Sequence, residues 1–178
     1  MGDTKKVDSD FVADGVEQQL DPEWISAERL HGAIVALIPA IITLIGLFAL
    51  AFGADWRGRS WWVALAGWLL LFSSLGIWAI VGPKLRYKRR SYRLDEAGLR
   101  IRSGLLFRSE VTIPRSRLQH TDVSQGPIAR SFGLATLIVH TAGTVNASVP
   151  LEGLPEARAH RIRDLLLDDI EADEDDAV

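Results

Sequence analysis

Two runs without a single charged residue, Gly32 to Ala54 and Trp61 to Pro83, constrain this chain more than any other feature. Only Asp55-Trp56-Arg57-Gly58-Arg59-Ser60 separates them. A helix rises about 1.5 Å per residue, so either run reaches about 34 Å, against a bilayer hydrocarbon core of about 30 Å. A helix satisfies its own backbone groups in lipid, so the pattern predicts a hairpin of two transmembrane helices, about 32–54 and 61–83. The competing reading is a pair of helices buried in a soluble fold. Such helices usually keep one polar face, and neither run has one.

The flanks predict the orientation. Lys84, Arg86, Lys88, Arg89 and Arg90 follow the second run directly, whereas the turn offers Arg57 and Arg59 offset by Asp55. The positive-inside rule puts Lys84 in the cytoplasm, and two spans return the N-terminus to the same side. The expected location is a bacterial plasma (inner) membrane, multi-pass, with both termini cytoplasmic. The basic run faces an anionic leaflet, where each charge contributes about 1 kcal/mol, and it also reads as a pure topology signal. The first run starts too late and is too long for a cleaved signal peptide, so it is expected to act as an uncleaved insertion signal. Neither run carries an ionisable residue, which argues against a proton relay or ion path. Gly32, Ala36 and Ala40 form a row of small residues that permits close helix contact. Trp56, Trp61 and Trp62 cluster as an interfacial belt would.

Outside the hairpin the composition changes. Residues 1–20 are polar and acidic and read as a flexible tail. Asp21 and Pro22 suit a helix start, and Trp24 suits either the interface or packing against a soluble domain. From Ser91 short alternating runs predict strands: Tyr92 and Leu94, then Leu99 and Ile101, then Glu110 to Ile113, Leu118 to Val123, Leu134 to Thr141, and Val145 to Leu151. Ile128 to Phe132 reads as one helical turn. Ala159, Ile162, Leu165 and Leu166 fall on one helical face from Glu156 to Leu167. The chain of 178 residues thus divides into a tail (1–20), the hairpin (21–83), a cytoplasmic domain (84–170) and an acidic tail (171–178). The fold class is an α+β membrane protein, its soluble part a small antiparallel sheet or open barrel closed by one helix.

The order of elements, together with Ile113-Pro114-Arg115-Ser116-Arg117-Leu118-Gln119-His120, Gln125-Gly126-Pro127, Arg130-Ser131-Phe132-Gly133-Leu134-Ala135 and Thr141-Ala142-Gly143, resembles the bacterial pleckstrin-homology-like family of YdbS type. The motif positions are Pro114, Arg117, Gln119, Arg130, Phe132, Gly133, Thr141 and Gly143. The resemblance implies a strongly bent sheet or partial barrel capped by the terminal helix, and no established enzyme activity. Phe132 is then expected to plug the barrel. Arg117 and Gln119 are either surface residues or fix the loop after the third strand.

The chemistry the sequence lacks narrows the function. There is no Cys, hence no disulfide, thiolate metal site or cysteine nucleophile. His31, His120, His140 and His160 show no metal-ligand spacing, although His120 and His140 could meet on adjacent strands. No phosphate-cradling glycine loop or hydrolase elbow occurs, so neither a catalytic site, a cofactor nor a metal is expected. Arg93, Arg100 and Arg102 could share one face of the first hairpin, but Asp95 and Glu96 in its turn would repel a phosphate. A nucleic-acid partner is not expected, because the basic residues lie against the membrane. The expected function is a non-catalytic, membrane-anchored interaction module that assembles with itself or a partner membrane protein. The alternative is a lipid-sensing or lipid-handling protein in envelope stress defence, with the bilayer and its anionic lipids as partner.

Overall fold

The computed structural model describes residues 15–53, 58–105, 107–142 and 148–175, with side chains to Leu167. Two compact units result: Ile25–Lys84, and a second made of the chain before and after it.

The first unit is the helical hairpin. Helix α1 spans Glu23–Gly53 and α2 spans Arg59–Tyr87. Both extend past the charge-free runs, and α1 runs unbroken through Pro39. Asp21 starts α1 by accepting a hydrogen bond from the Glu23 amide at 2.9 Å. The helices touch along their length. At one end Gly32 faces Ala79 so closely that a Cβ on Gly32 would lie 3.1 Å from the Ala79 Cβ. Midway, Trp68 Nε1 donates to Thr43 Oγ1 at 3.0 Å. Near the turn, Phe48 and Trp61 meet edge to face at 5.3 Å. Gly32, the first member of the small-residue row, thus packs within the hairpin. Trp61 turns inward while Trp62 stays exposed, and Trp56 lies outside the described residues. Many large apolar side chains of the hairpin stay exposed, Leu70 at 75% and Ile45 at 64%. Water would not tolerate so continuous an apolar surface, and lipid does. These are membrane helices.

The second unit holds two antiparallel sheets. Strands β1 (Gln18–Gln19), β2 (Ser91–Asp95), β3 (Gly98–Ser103) and β4 (Ser109–Pro114) form one in that order. Strands β5 (Leu118–Ser124), β6 (Leu134–Thr141) and β7 (Ser148–Pro155) form the other. Short helix α3 (Pro127–Ser131) links β5 to β6, and α4 (Glu156–Asp175) closes the domain. Alternation puts Tyr92, Leu94, Leu99, Leu137 and Val139 inside, and α4, packed on β5 and β6, buries Ile162 and Leu166; each is at most 2% exposed. Gly98 makes the β2–β3 turn at φ +135°, where a Cβ would fall 2.1 Å from the Ile113 carbonyl oxygen.

Three expectations change. The N-terminal segment is not a free tail up to Leu20: Gln18 and Gln19 pair with Tyr92 and Ser91, and Leu20 and Trp24 are buried. Residues 1–14 lie outside the described residues. The hairpin is therefore inserted between β1 and β2 of one domain. The cause is backbone pairing, which two polar glutamines do not advertise in sequence. At the other end α4 continues through Asp175, into the stretch read as an acidic tail. Finally, the last strand runs on to Pro155, beyond the expected end at Leu151; Val145 lies outside the described residues.

Candidate functional site

The juxtamembrane cations do not act as one group. Lys84 is exposed at the end of the hairpin unit, and Arg86 is half-buried. Arg90 is committed to the fold: its Nη1 bonds Glu152 Oε2 at 2.8 Å, and its guanidinium lies 5.0 Å from the centre of the Trp24 ring. Lys88 and Arg89, directly beyond α2, remain exposed.

Lys88 and Arg89 open onto a cleft of about 410 Å³ with Arg102 of β3, Arg108 of the β3–β4 connection, and Ser91, Ser103 and Ser109. Glu17 and Glu110 line it too. The β3–β4 register sets Arg102 opposite Glu110, so Arg102 Nε donates to Glu110 Oε2 at 3.1 Å. Its Nη1 reaches Glu17 Oε1 at 3.2 Å, and Ser91 Oγ donates to the same oxygen at 2.6 Å. The Ser91 hydroxyl foremost, then Arg102, holds the Glu17 carboxyl below its ordinary range. The Glu110 and Glu17 carboxylates in turn raise Arg102 above its usual value. With Arg102 paired in this way, Lys88, Arg89 and Arg108 carry the charge that no carboxylate answers among the described residues. Ser91 spends its one O–H on Glu17, so Ser103 and Ser109 are the hydroxyls left in the lining that could join the cations in donating to an anion. Beside it Phe107 stands 88% exposed, next to Arg108.

The cations of the first hairpin are spent on carboxylates. Arg93 pairs with Asp95 at 3.0 Å and Arg100 with Glu110 at 3.4 Å. The Arg93 and Arg100 charges are thus answered on the first hairpin itself.

The motif residues build the frame around the second sheet. Pro114 ends β4 and opens a single 3₁₀ turn, Arg115–Arg117. Arg117 and Gln119 are exposed, and the Arg117 carbonyl accepts the Ala142 amide at 3.1 Å. The side chain that fixes this loop is Arg115, which the sequence reading passed over: its Nε and Nη2 donate to the Asp95 carbonyl at 3.2 and 3.0 Å. Gln119 has a different role. Leu118 pairs with Thr141 and His120 with His140, so Gln119 is the extra residue of a β-bulge. Arg130 is exposed on α3, and its carbonyl accepts from Gly133, whose φ of +65° ends the helix. Phe132 is half-buried at the end of α3, whereas Leu134, Leu154 and Ile162 are fully enclosed in the core. Thr141 is half-buried opposite Leu118, and Gly143 lies outside the described residues.

Comparison with known proteins agrees with this architecture. The family described as Bacterial PH domain matches residues 25–170. The UPF0699 transmembrane protein YdbS of Bacillus subtilis (strain 168) is 30% identical over 149 residues, covering 83% of this chain and 89% of its own length. The UPF0699 transmembrane protein YdbT of the same strain is 29% identical over 91 residues, 51% of this chain and 18% of YdbT. No solved structure matches the chain.

Proposed function

The chain belongs to the bacterial PH domain family, and from that premise we propose that it is a non-catalytic, multi-pass membrane module, both termini cytoplasmic, whose PH-like domain engages anionic lipid headgroups. The supporting observation is the convergence of Lys88, Arg89 and Arg108, from two separate segments, on one cleft lined by hydroxyls. Lys88 follows the last residue of α2, so chain connectivity alone keeps it near the bilayer surface. Basic groups there are attracted to anionic lipid, each by about 1 kcal/mol. Exposed Phe107 adds an apolar side chain of the kind that seats at the headgroup boundary.

The test uses the full chain. A cysteine placed at Phe107, unique because the chain has none, carries an environment-sensitive dye in nanodiscs. Anionic lipid should blue-shift its emission relative to neutral lipid, and salt or the triple Lys88→Gln, Arg89→Gln, Arg108→Gln variant should abolish the shift. Identical, salt-insensitive spectra in both lipids would discard the headgroup reading.

A second reading, assembly with itself or a partner membrane protein, is favoured by β4. It is the edge of its sheet, and its outer side carries no paired strand among the described residues. Beside it a groove of about 250 Å³ runs between the sheets, lined by Ile101, Val111, Val149 and Leu151. A strand added there would gain main-chain hydrogen bonds and apolar burial together.

A further inference from the structure

On the outer face of the second sheet, the β5–β6 register sets His120 directly opposite His140. Their rings stack at 4.1 Å between centroids, 14° from parallel. Asp122, two residues beyond His120, brings Oδ2 to 3.2 Å from His140 Nε2. One ligand atom from each of the three lies within 4.8 Å of the others.

Two features organise this cluster. The first is the bulge at Gln119. Leu118 is buried, and strict alternation would turn His120 and Asp122 inward with it. The extra residue resets the parity, so that His120 and Asp122 face outward while Thr121 is buried between them. The second is Ser148, which β7 sets opposite His140, with its Oγ 2.9 Å from His140 Nδ1. A hydroxyl both donates and accepts. When His140 Nδ1–H donates to Ser148 Oγ, the Nε2 lone pair is presented toward Asp122 and His120. An oriented imidazole whose far nitrogen is hydrogen-bonded is the arrangement found behind metal-ligating histidines.

We propose that His120, Asp122 and His140 form a Zn²⁺ site that clips β5 to β6. This site is independent of the cationic cleft. Two imidazole nitrogens and a carboxylate oxygen, with no thiolate, suit Zn²⁺. Zn–N and Zn–O bonds of about 2.0–2.2 Å in a tetrahedron put ligand atoms roughly 3.3–3.5 Å apart. The His140–Asp122 pair, at 3.2 Å, stands just inside that spacing and needs only a slight opening. His120 is exposed and reaches it by rotating its ring, a soft torsion. The site lies at the surface, which leaves the fourth position to water.

The experiment is calorimetric titration of ZnCl₂ into the full, tag-free chain in detergent. One Zn²⁺ per chain is expected, with affinity falling at least about tenfold in His120→Ala, in His140→Ala and in Asp122→Asn. His160→Ala, on α4, should bind as the parent does. Zn²⁺ should also raise the melting temperature of the parent and of His160→Ala but not of His120→Ala. His120 is exposed, so that variant keeps its fold and the comparison remains valid even if His140→Ala does not. Absence of stoichiometric Zn²⁺ binding, or binding unchanged by both histidine substitutions, would overturn the site.

Discussion

The indole of Trp24 lies so close over Gly153 that a Cβ on Gly153 would stand 2.5 Å from Trp24 Cδ1. Gly153 has φ +73°, and the β6–β7 register shifts beside it, so it makes a bulge on which the Trp24 ring rests. The Asp21 amide donates to the Gly153 carbonyl at 2.9 Å, which fastens the segment entering α1 to β7. Gly153→Ala meets both the ring and an unfavourable backbone region, the latter alone worth about 1–3 kcal/mol. We expect a clear fall in melting temperature in detergent, and a smaller fall when Trp24→Ala is made first, because the steric part then disappears.

Glu17 gives a pH signature. Its carboxyl is held below its ordinary range, first by the Ser91 hydroxyl and then by Arg102. A depressed folded value means that the contribution is complete above the unfolded value of about 4.3 and is lost as pH falls through the lower folded value. Glu17→Gln should therefore be slightly less stable than the parent near pH 7. The two should converge as the pH falls below about 4.3. A stability difference that persists unchanged into that acid range would reject the assignment. The effect is modest, because the side chain is half exposed.

Orientation is testable by fusion. The charge asymmetry across α2 predicts activity of a cytoplasmic reporter placed after Val178 and of a periplasmic reporter inserted at Gly58. Periplasmic activity from the Val178 fusion would reverse the topology.

The β4 edge predicts contact between copies or with another membrane protein. Tethering to one plane raises the effective concentration of weakly binding surfaces. Single cysteines at Ser103 and Ser109 in native membranes should each give a specific cross-linked adduct. If neither does while the protein is folded and abundant, the assembly reading fails and headgroup binding stands alone.

The hairpin, its two-helix form and the strand-rich domain with its terminal helix were legible in the sequence, because each rests on local pattern. Twenty or more apolar residues without charge have one stable use, and alternation or helical spacing is a property of neighbours along the chain. What the tertiary structure decided depends on residues distant in sequence. It paired Gln18 and Gln19 with β2, which makes the domain discontinuous around the hairpin. It divided the basic run, committing Arg90 to Glu152 and Trp24 and leaving Lys88 and Arg89 to meet Arg108. It gave the loop-fixing role to Arg115, and it turned His120 outward to meet His140 and Asp122. The physical reason is the same in each case. A backbone hydrogen bond to a distant strand, or one extra residue in a ladder, changes which side chains share a face, and neither leaves a periodicity in the sequence.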